Sequence, residues 1–188
     1  MIIFDACRDA LNYAIDPGWA DKPAASLRSG QVKVFSSFAS KAGKKAKEVE
    51  FNGRWAGVLT QAFLTGAKGY AADANGVVYS SALRAFIFAA VKDRLGSDFE
   101  PEVDDGTDPN DSWALFHAPR RLPRIVVKPV KQLTGLAKFR KRGEQPGEID
   151  LAAGVQVLEV PYGYYALTLP DGTEQTVIAV WEEKLVEV

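Results

Sequence analysis

The chain opens on Met1-Ile2-Ile3-Phe4-Asp5-Ala6-Cys7-Arg8, in which the largely apolar Ile2–Ala6 reads as a first strand. A run of this kind, as opposed to an alternating one, is the pattern of a central strand in a parallel sheet, covered on both faces. Such a strand needs a neighbour on each side. The run therefore commits the first part of the chain to an α/β layer. It has no basic leader and no small-residue cleavage pattern, so it is read as structure and not as a signal peptide. A domain that starts on its central strand is expected to draw its remaining strands from sequence before Met1 or from another chain.

Downstream, Asp16-Pro17-Gly18 and Asp21-Lys22-Pro23 mark a loop with tight turns. Gln31–Phe38 alternates and is rich in β-branched and aromatic residues, which predicts a second strand. Ser40–Glu50 reads as a Lys-rich loop. Trp55, Val58, Leu59, Ala62 and Phe63 recur at helical spacing, predicting a helix over Trp55–Thr65 that Gly66 and Gly69 can end. Leu83, Phe86, Ile87, Ala90, Val91 and Leu95 predict a second helix, capped by Ser80 or Ser81 and stopped at Gly96. Ser112–Ala118 reads as a short strand. This alternation argues for an α/β sandwich with a mostly parallel sheet.

Pro119 to Pro123 is the best linker, and beyond it the periodicity changes. Ile125–Val130, Leu136–Arg140, Glu148–Leu151, Val155–Val160, Tyr164–Leu169 and Thr176–Trp181 are short strand-like runs separated by Gly and Pro signals. Pro170-Asp171-Gly172 is a hairpin turn. The expected organisation is an α/β domain over residues 1–119 and a small all-β domain over 120–188, a β-sandwich or β-barrel. A domain that small is expected to need support from the first.

Composition limits the chemistry. No apolar run approaches the ~20 residues of a membrane-spanning helix, so no membrane partner is expected. The chain has one cysteine, Cys7, and one histidine, His117, which excludes a disulfide framework and any metal site built on several of either. The lone cysteine also points to a reducing compartment, and a cytoplasmic location is expected. The net charge of −1 hides an asymmetry: seven acids and no base over 98–111, then nine bases and no acid over 120–142.

Cys7 lies just past the first strand, and open α/β sheets gather catalytic groups outside the carboxyl ends of their strands. Its neighbours Asp5, Arg8 and Asp9 are charged, and Arg8 would help hold a thiolate. The competing reading is a buried small hydrophobe.

Ile3-Phe4-Asp5-Ala6-Cys7-Arg8-Asp9 resembles the nucleophile strand of the caspase-like cysteine peptidases, especially their bacterial and metacaspase branch. Phe35-Ser36-Ser37 with Gly43-Lys44-Lys45-Ala46-Lys47-Glu48 is similar to the next family strand and its substrate-binding loop. Gly57-Val58-Leu59-Thr60-Gln61-Ala62-Phe63-Leu64 is similar to the family helix that follows. Trp113–Phe116 falls where the last strand belongs. The match runs in order over residues 1–119, and it implies a partial caspase-like αβα sandwich.

The resemblance also implies the chemistry. Cys7 would be the nucleophile of an endopeptidase, its thiol proton taken by a His from an earlier strand. Backbone N–H groups would stabilise the oxyanion. That His would lie outside this chain, in a missing segment or a second chain, so this chain alone is expected to be inactive. His117 sits at the end of the presumed last strand and is read as a partly buried, hydrogen-bonded strand histidine. By the metacaspase pattern Asp5 would line the S1 pocket and select Arg or Lys by charge-assisted pairing. Its alternative role is to cap the turn after the strand. Ser36 and Ser37 would line the cleft. Lys41, Lys44 and Lys45 would favour an acidic residue if they faced S1, and otherwise form a solvated surface.

No cofactor is expected. Calcium, which metacaspases often require, finds no EF-hand register in the acids, because Asp105 stands where the turn glycine belongs. A solvated acidic loop is the reading adopted. The 120–142 bases have only Phe139 as an aromatic platform, so nucleic acid is not the expected partner. They are expected to pair with the acidic loop or to form a solvated face. The expected partner is a peptide or protein substrate. The alternative function is a non-catalytic interaction protein, in which a degenerate peptidase half presents the β-domain to a partner.

Overall fold

The computed structural model describes residues 2–4, 35–39, 46–51, 53–104, 112–130, 135–141 and 143–188. The chain divides into two compact units, Met1–Pro119 and Arg120–Val188. Its content is mixed α/β, with short strands in small sheets and two α-helices among the described residues. Among the described residues, no helix is long and apolar enough to cross a membrane.

In the first unit, β1 (Ile2–Phe4) pairs in parallel with β2 (Ser36–Phe38), and β2 pairs antiparallel with the later strand β6 (Glu102–Asp104). Between them lie a hairpin of β3 (Glu48–Phe51) and β4 (Arg54–Gly57), helix α1 (Val58–Thr65), β5 (Val77–Tyr79) and helix α2 (Ser80–Leu95). Strand β7 (Ala114–His117) pairs antiparallel with β5. Among the described residues only β1–β2 is parallel here, where a mostly parallel sheet is expected from the alternation.

Other departures have local causes. The expected helix over Trp55–Thr65 begins at Val58, because Asn52-Gly53 is a two-residue hairpin signal. Phe51 pairs with Arg54 and Glu50 with Trp55, and Gly53 has φ 78°. The first helical residue is tied to the hairpin base by Val58 N–H donating to Lys47 O at 3.2 Å. The strand expected over Gln31–Phe38 is seen at Ser36–Phe38; residues 31–34 lie outside the described residues, as do the turns at residues 16–23. Within the expected acidic loop, Glu102–Asp104 is strand and Val103 is buried. Residues 105–111 lie outside the described residues.

Helix α1 buries Val58, Leu59, Ala62 and Phe63 against α2, which buries Leu83, Phe86, Ile87, Ala90 and Val91. Gly66 does not end α1. It stays in right-handed helical geometry, and a π-helical turn runs on over Gly66–Tyr70 until Gly69, at φ 112°, breaks it. Gly66 is there for close packing: a Cβ would stand 2.7 Å from Leu83 Cδ1 and 3.0 Å from Phe86 Cδ1.

Neither Ser80 nor Ser81 caps α2; the N-cap is Tyr79, with no side-chain cap bond. The strand side supplies the acceptors instead. Ser80 N–H donates to Trp113 O at 2.9 Å, and Ser81 N–H approaches Ser112 Oγ at 3.4 Å. The Ser81 and Ser112 hydroxyls share a hydrogen bond of 2.6 Å, and buried Ser80 Oγ accepts from Trp113 N–H at 3.3 Å. A helix terminus leaves several N–H groups without intrahelical partners, and the segment entering β7 satisfies two of them.

Among the described residues, the regular elements of the second unit are strands and one short 3₁₀ turn, Leu151–Ala153. Strands β8 (Arg124–Lys128), β9 (Leu136–Lys141), β10 (Gly147–Asp150), β11 (Gln156–Glu159), β12 (Gly163–Thr168), β13 (Glu174–Ala179) and β14 (Glu183–Glu187) form two sheets. Their orders are β10-β9-β12-β13 and β11-β8-β14. Strand β14, absent from the sequence-based expectation, adds in parallel to β8. Its Glu-Lys-Leu-Val-Glu run hides the inward Val186 among charges.

Alternating residues of both sheets fill one core, including Ile125, Val127, Phe139, Ile149, Leu167, Val177 and Val186. A fully buried Leu or Ile contributes about 1.5–3 kcal/mol. Pro170-Asp171-Gly172 joins β12 to β13, with Gly172 at φ 87° and Leu169 N–H donating to Thr173 O at 2.8 Å. Thr173 N–H donates to Asp171 Oδ1 at 2.8 Å, and that bond holds the carboxyl below its ordinary range.

Candidate functional site

Cys7, Asp5 and Arg8 lie outside the described residues, and so do Lys41, Lys44 and Lys45. What is described is the strand pair from which the Cys7 segment departs. Because β1 and β2 are parallel, Phe4 and Phe38 close the carboxyl ends of two adjacent strands side by side.

On β2, Ser36 stands opposite Ile2 and Asp104, and Ser37 opposite Ile3 and Val103. Ser37 is fully buried, and its Oγ finds no hydrogen-bond partner among the described residues. Its hydroxyl does not meet solvent in this conformation.

His117 lies at the end of β7, opposite Val77. It is exposed, where a partly buried and hydrogen-bonded ring is expected, and its ring makes no hydrogen bond among the described residues. The ladder is short: its two central residues, Leu115 and Phe116, are half-buried, and both strand ends are exposed. Among the described residues the β5–β7 pair shares no hydrogen-bonded neighbour with the β1–β2–β6 sheet, so His117 and Ser37 belong to separate ladders.

Sequence reasoning missed a concavity of the first unit. It measures about 530 Å³ and is lined by Phe51, Arg54, Trp55, Ala56 and Gln61. Trp55 is 72% exposed, because the hairpin puts it on the solvent side of β4 and not on a helix face. Arg94 of α2 stands over the Phe51 ring at 5.0 Å, a cation–π contact that braces the wall. The lining can take an apolar or planar group against Trp55, with Arg54 and Gln61 as donors at its rim. Asn52-Gly53 is the signal that would have found it.

Among the described residues, no group of three or more His, Cys, Asp or Glu could hold a metal ion. Three bases of the 120–142 segment pair inside their own unit: Arg124 with Glu183 at 3.2 Å, Lys128 with Glu187 at 3.1 Å, and Lys141 with Glu144 at 3.9 Å. Phe139 is buried and stacked on Tyr165, with ring centroids 4.7 Å apart, so it offers no platform to a base.

Comparison with protein-family models, with curated proteins and with solved structures returns no match.

Proposed function

We propose that the chain is the C-terminal portion of a caspase-like cysteine endopeptidase that cuts after Arg or Lys. The observation that carries this reading is the Asp5-Ala6-Cys7-Arg8 motif directly after β1, a strand paired in parallel with β2. Carboxyl ends of parallel strands are where open α/β sheets assemble reactive groups. The ordered resemblance over residues 1–119 supports it further.

In this mechanism a His from outside the chain takes the Cys7 proton. The thiolate attacks the scissile carbonyl, backbone N–H groups hold the oxyanion, and the amine leaves with that proton. Water then hydrolyses the thioester and frees Cys7. Asp5 pairs with the guanidinium or ammonium of the residue before the cut. The Trp55 concavity is a surface of the same unit able to hold an apolar substrate group.

The test is peptidase activity of the purified chain on Arg- and Lys-containing peptides. The expected result is none until the His-bearing segment is supplied. Robust cleavage by the chain alone, abolished by Cys7→Ala, would overturn the external His and direct attention to His117.

A second reading, an interaction protein, is favoured by one surface. Val157, Val126 and Leu185 form a row across β11, β8 and β14, and Val157 and Leu185 are more than half exposed. Failure of Cys7 to react with substrate-like electrophiles would favour it.

A further inference from the structure

The outer face of the four-stranded sheet holds a concavity of about 360 Å³, lined by Arg140, Gly143, Tyr164, Tyr165, Ala166 and Thr176. Strand register explains its shape. Ala166 of β12 stands opposite Arg140 of β9 on one side and Thr176 of β13 on the other. Cross-strand neighbours lie ~5 Å apart, so a methyl between two longer side chains makes a floor with two walls. Tyr164, two residues along β12 on the same face and 41% exposed, closes a third side. Gly143, at φ 85°, keeps the turn after β9 clear of the opening.

Charge on this face is distributed unevenly by row. Lys138 stands opposite Glu148, and Thr168 beyond it stands opposite Glu174, so that row carries two acids and one base. The Arg140–Ala166–Thr176 row carries a base and no acid. The Arg140 side chain is exposed and makes no ion pair or hydrogen bond among the described residues, and the nearby Glu144 is engaged by Lys141. A planar guanidinium fork on one wall and a hydroxyl on the other, over a small apolar floor, suit one planar anion.

We infer that this concavity binds a single carboxylate of an acidic peptide, with Arg140 as its charge partner and Thr176 and Tyr164 beside it. A nucleic acid fits less well. The Lys138 row lies about 7 Å away, close to the spacing of successive phosphates along a strand, and it would set Glu148 or Glu174 against the next phosphate. The Arg140 row carries a base and no acid, whereas the next row flanks its single base with two acids and is a poorer seat for a second anion. The site is in the second unit and does not depend on the reading of Cys7.

The test is amide-resolved NMR of the whole ¹⁵N-labelled chain, titrated with acetyl-Gly-Glu-Gly-amide, with its neutral isostere acetyl-Gly-Gln-Gly-amide and with oligothymidylate. The Glu peptide should shift the amides of Tyr164, Ala166 and Thr176 saturably, and the Gln peptide should not. Arg140→Gln, an exposed change, should weaken Glu-peptide binding about tenfold or more while leaving the rest of the spectrum in place. Ala166→Leu, which fills the floor, should weaken it as well. Equal shifts from both peptides, undiminished binding to Arg140→Gln, or tighter binding of oligothymidylate at the same amides would each overturn the proposal.

Discussion

Gly76→Ala should destabilise the first unit by about 2 kcal/mol, and the structure divides that cost into two parts. Gly76 sits at φ 76°, where an L-residue costs ~1–2 kcal/mol, partly offset by ~0.4–1 kcal/mol of lost unfolded-state entropy. A Cβ there would also stand 2.9 Å from Ala118 O, a backbone atom that cannot rotate away. Relieving that contact strains the 2.8 Å bond from Ala118 N–H to Gly76 O, worth ~0.5–1.5 kcal/mol, at the mouth of the β5–β7 pair. Gly53→Ala is the control, since Gly53 has φ 78° but nothing within 4 Å of its Cβ. It should cost less than about 1 kcal/mol from the same strain alone. Urea-dependent hydrogen exchange read by mass spectrometry follows each unit separately. Loss of protection over 77–79 and 114–118 in Gly76→Ala, with the second unit unchanged, is the expected result. A Gly76→Ala protein as stable as the parent, or a Gly53→Ala protein equally damaged, would refute the reasoning.

Further outcomes follow from the same contacts. Ser112→Ala removes the hydroxyl that meets Ser81 at the start of α2, and should lower first-unit stability by about 0.5–1 kcal/mol in urea titration. In the second unit, burial and then the Glu144 charge push the Tyr165 phenol up to about 12, while its hydroxyl donates to Pro161 O at 2.7 Å. The neutral phenol is therefore the folded form. Its stabilisation is complete below the unfolded value near 10 and is lost as pH rises from about 10 towards about 12. Tyr165→Phe should lose about 1 kcal/mol at neutral pH and flatten that alkaline decline, measured by denaturation across the pH range. An unchanged decline would assign it to another group.

The parts of this fold legible in the sequence are those where one local signal acts alone. The apolar faces of both helices follow from 3.6-residue periodicity, and the turn at Pro170-Asp171-Gly172 follows from residues able to adopt its backbone geometry. Where two signals competed, the weaker reading prevailed. Trp55 fits the helical spacing of Val58, Leu59 and Ala62, and that concealed the Asn52-Gly53 hairpin that turns it to solvent. Strand β14 escaped notice because Glu183, Leu185 and Glu187 point outward around a single buried Val186. The cap of α2 was illegible in principle, since its acceptors at Ser112 and Trp113 arrive from a strand far along the chain. For the site, sequence supplies Cys7 and Asp5 as residue types in a motif, whereas the burial of Ser37 and the exposure of His117 depend on tertiary packing.

The central claim is that Cys7 is a peptidase nucleophile with an acidic S1 residue beside it. Intact-mass spectrometry of the chain supplied with its His-bearing segment, treated with peptidyl chloromethyl ketones ending in Arg or in Glu, tests it most directly. The account predicts one covalent adduct on Cys7 with the Arg ketone, little with the Glu ketone, none in Cys7→Ala, and lost preference for Arg in Asp5→Asn. Absence of any adduct, or equal labelling by both ketones, would contradict it.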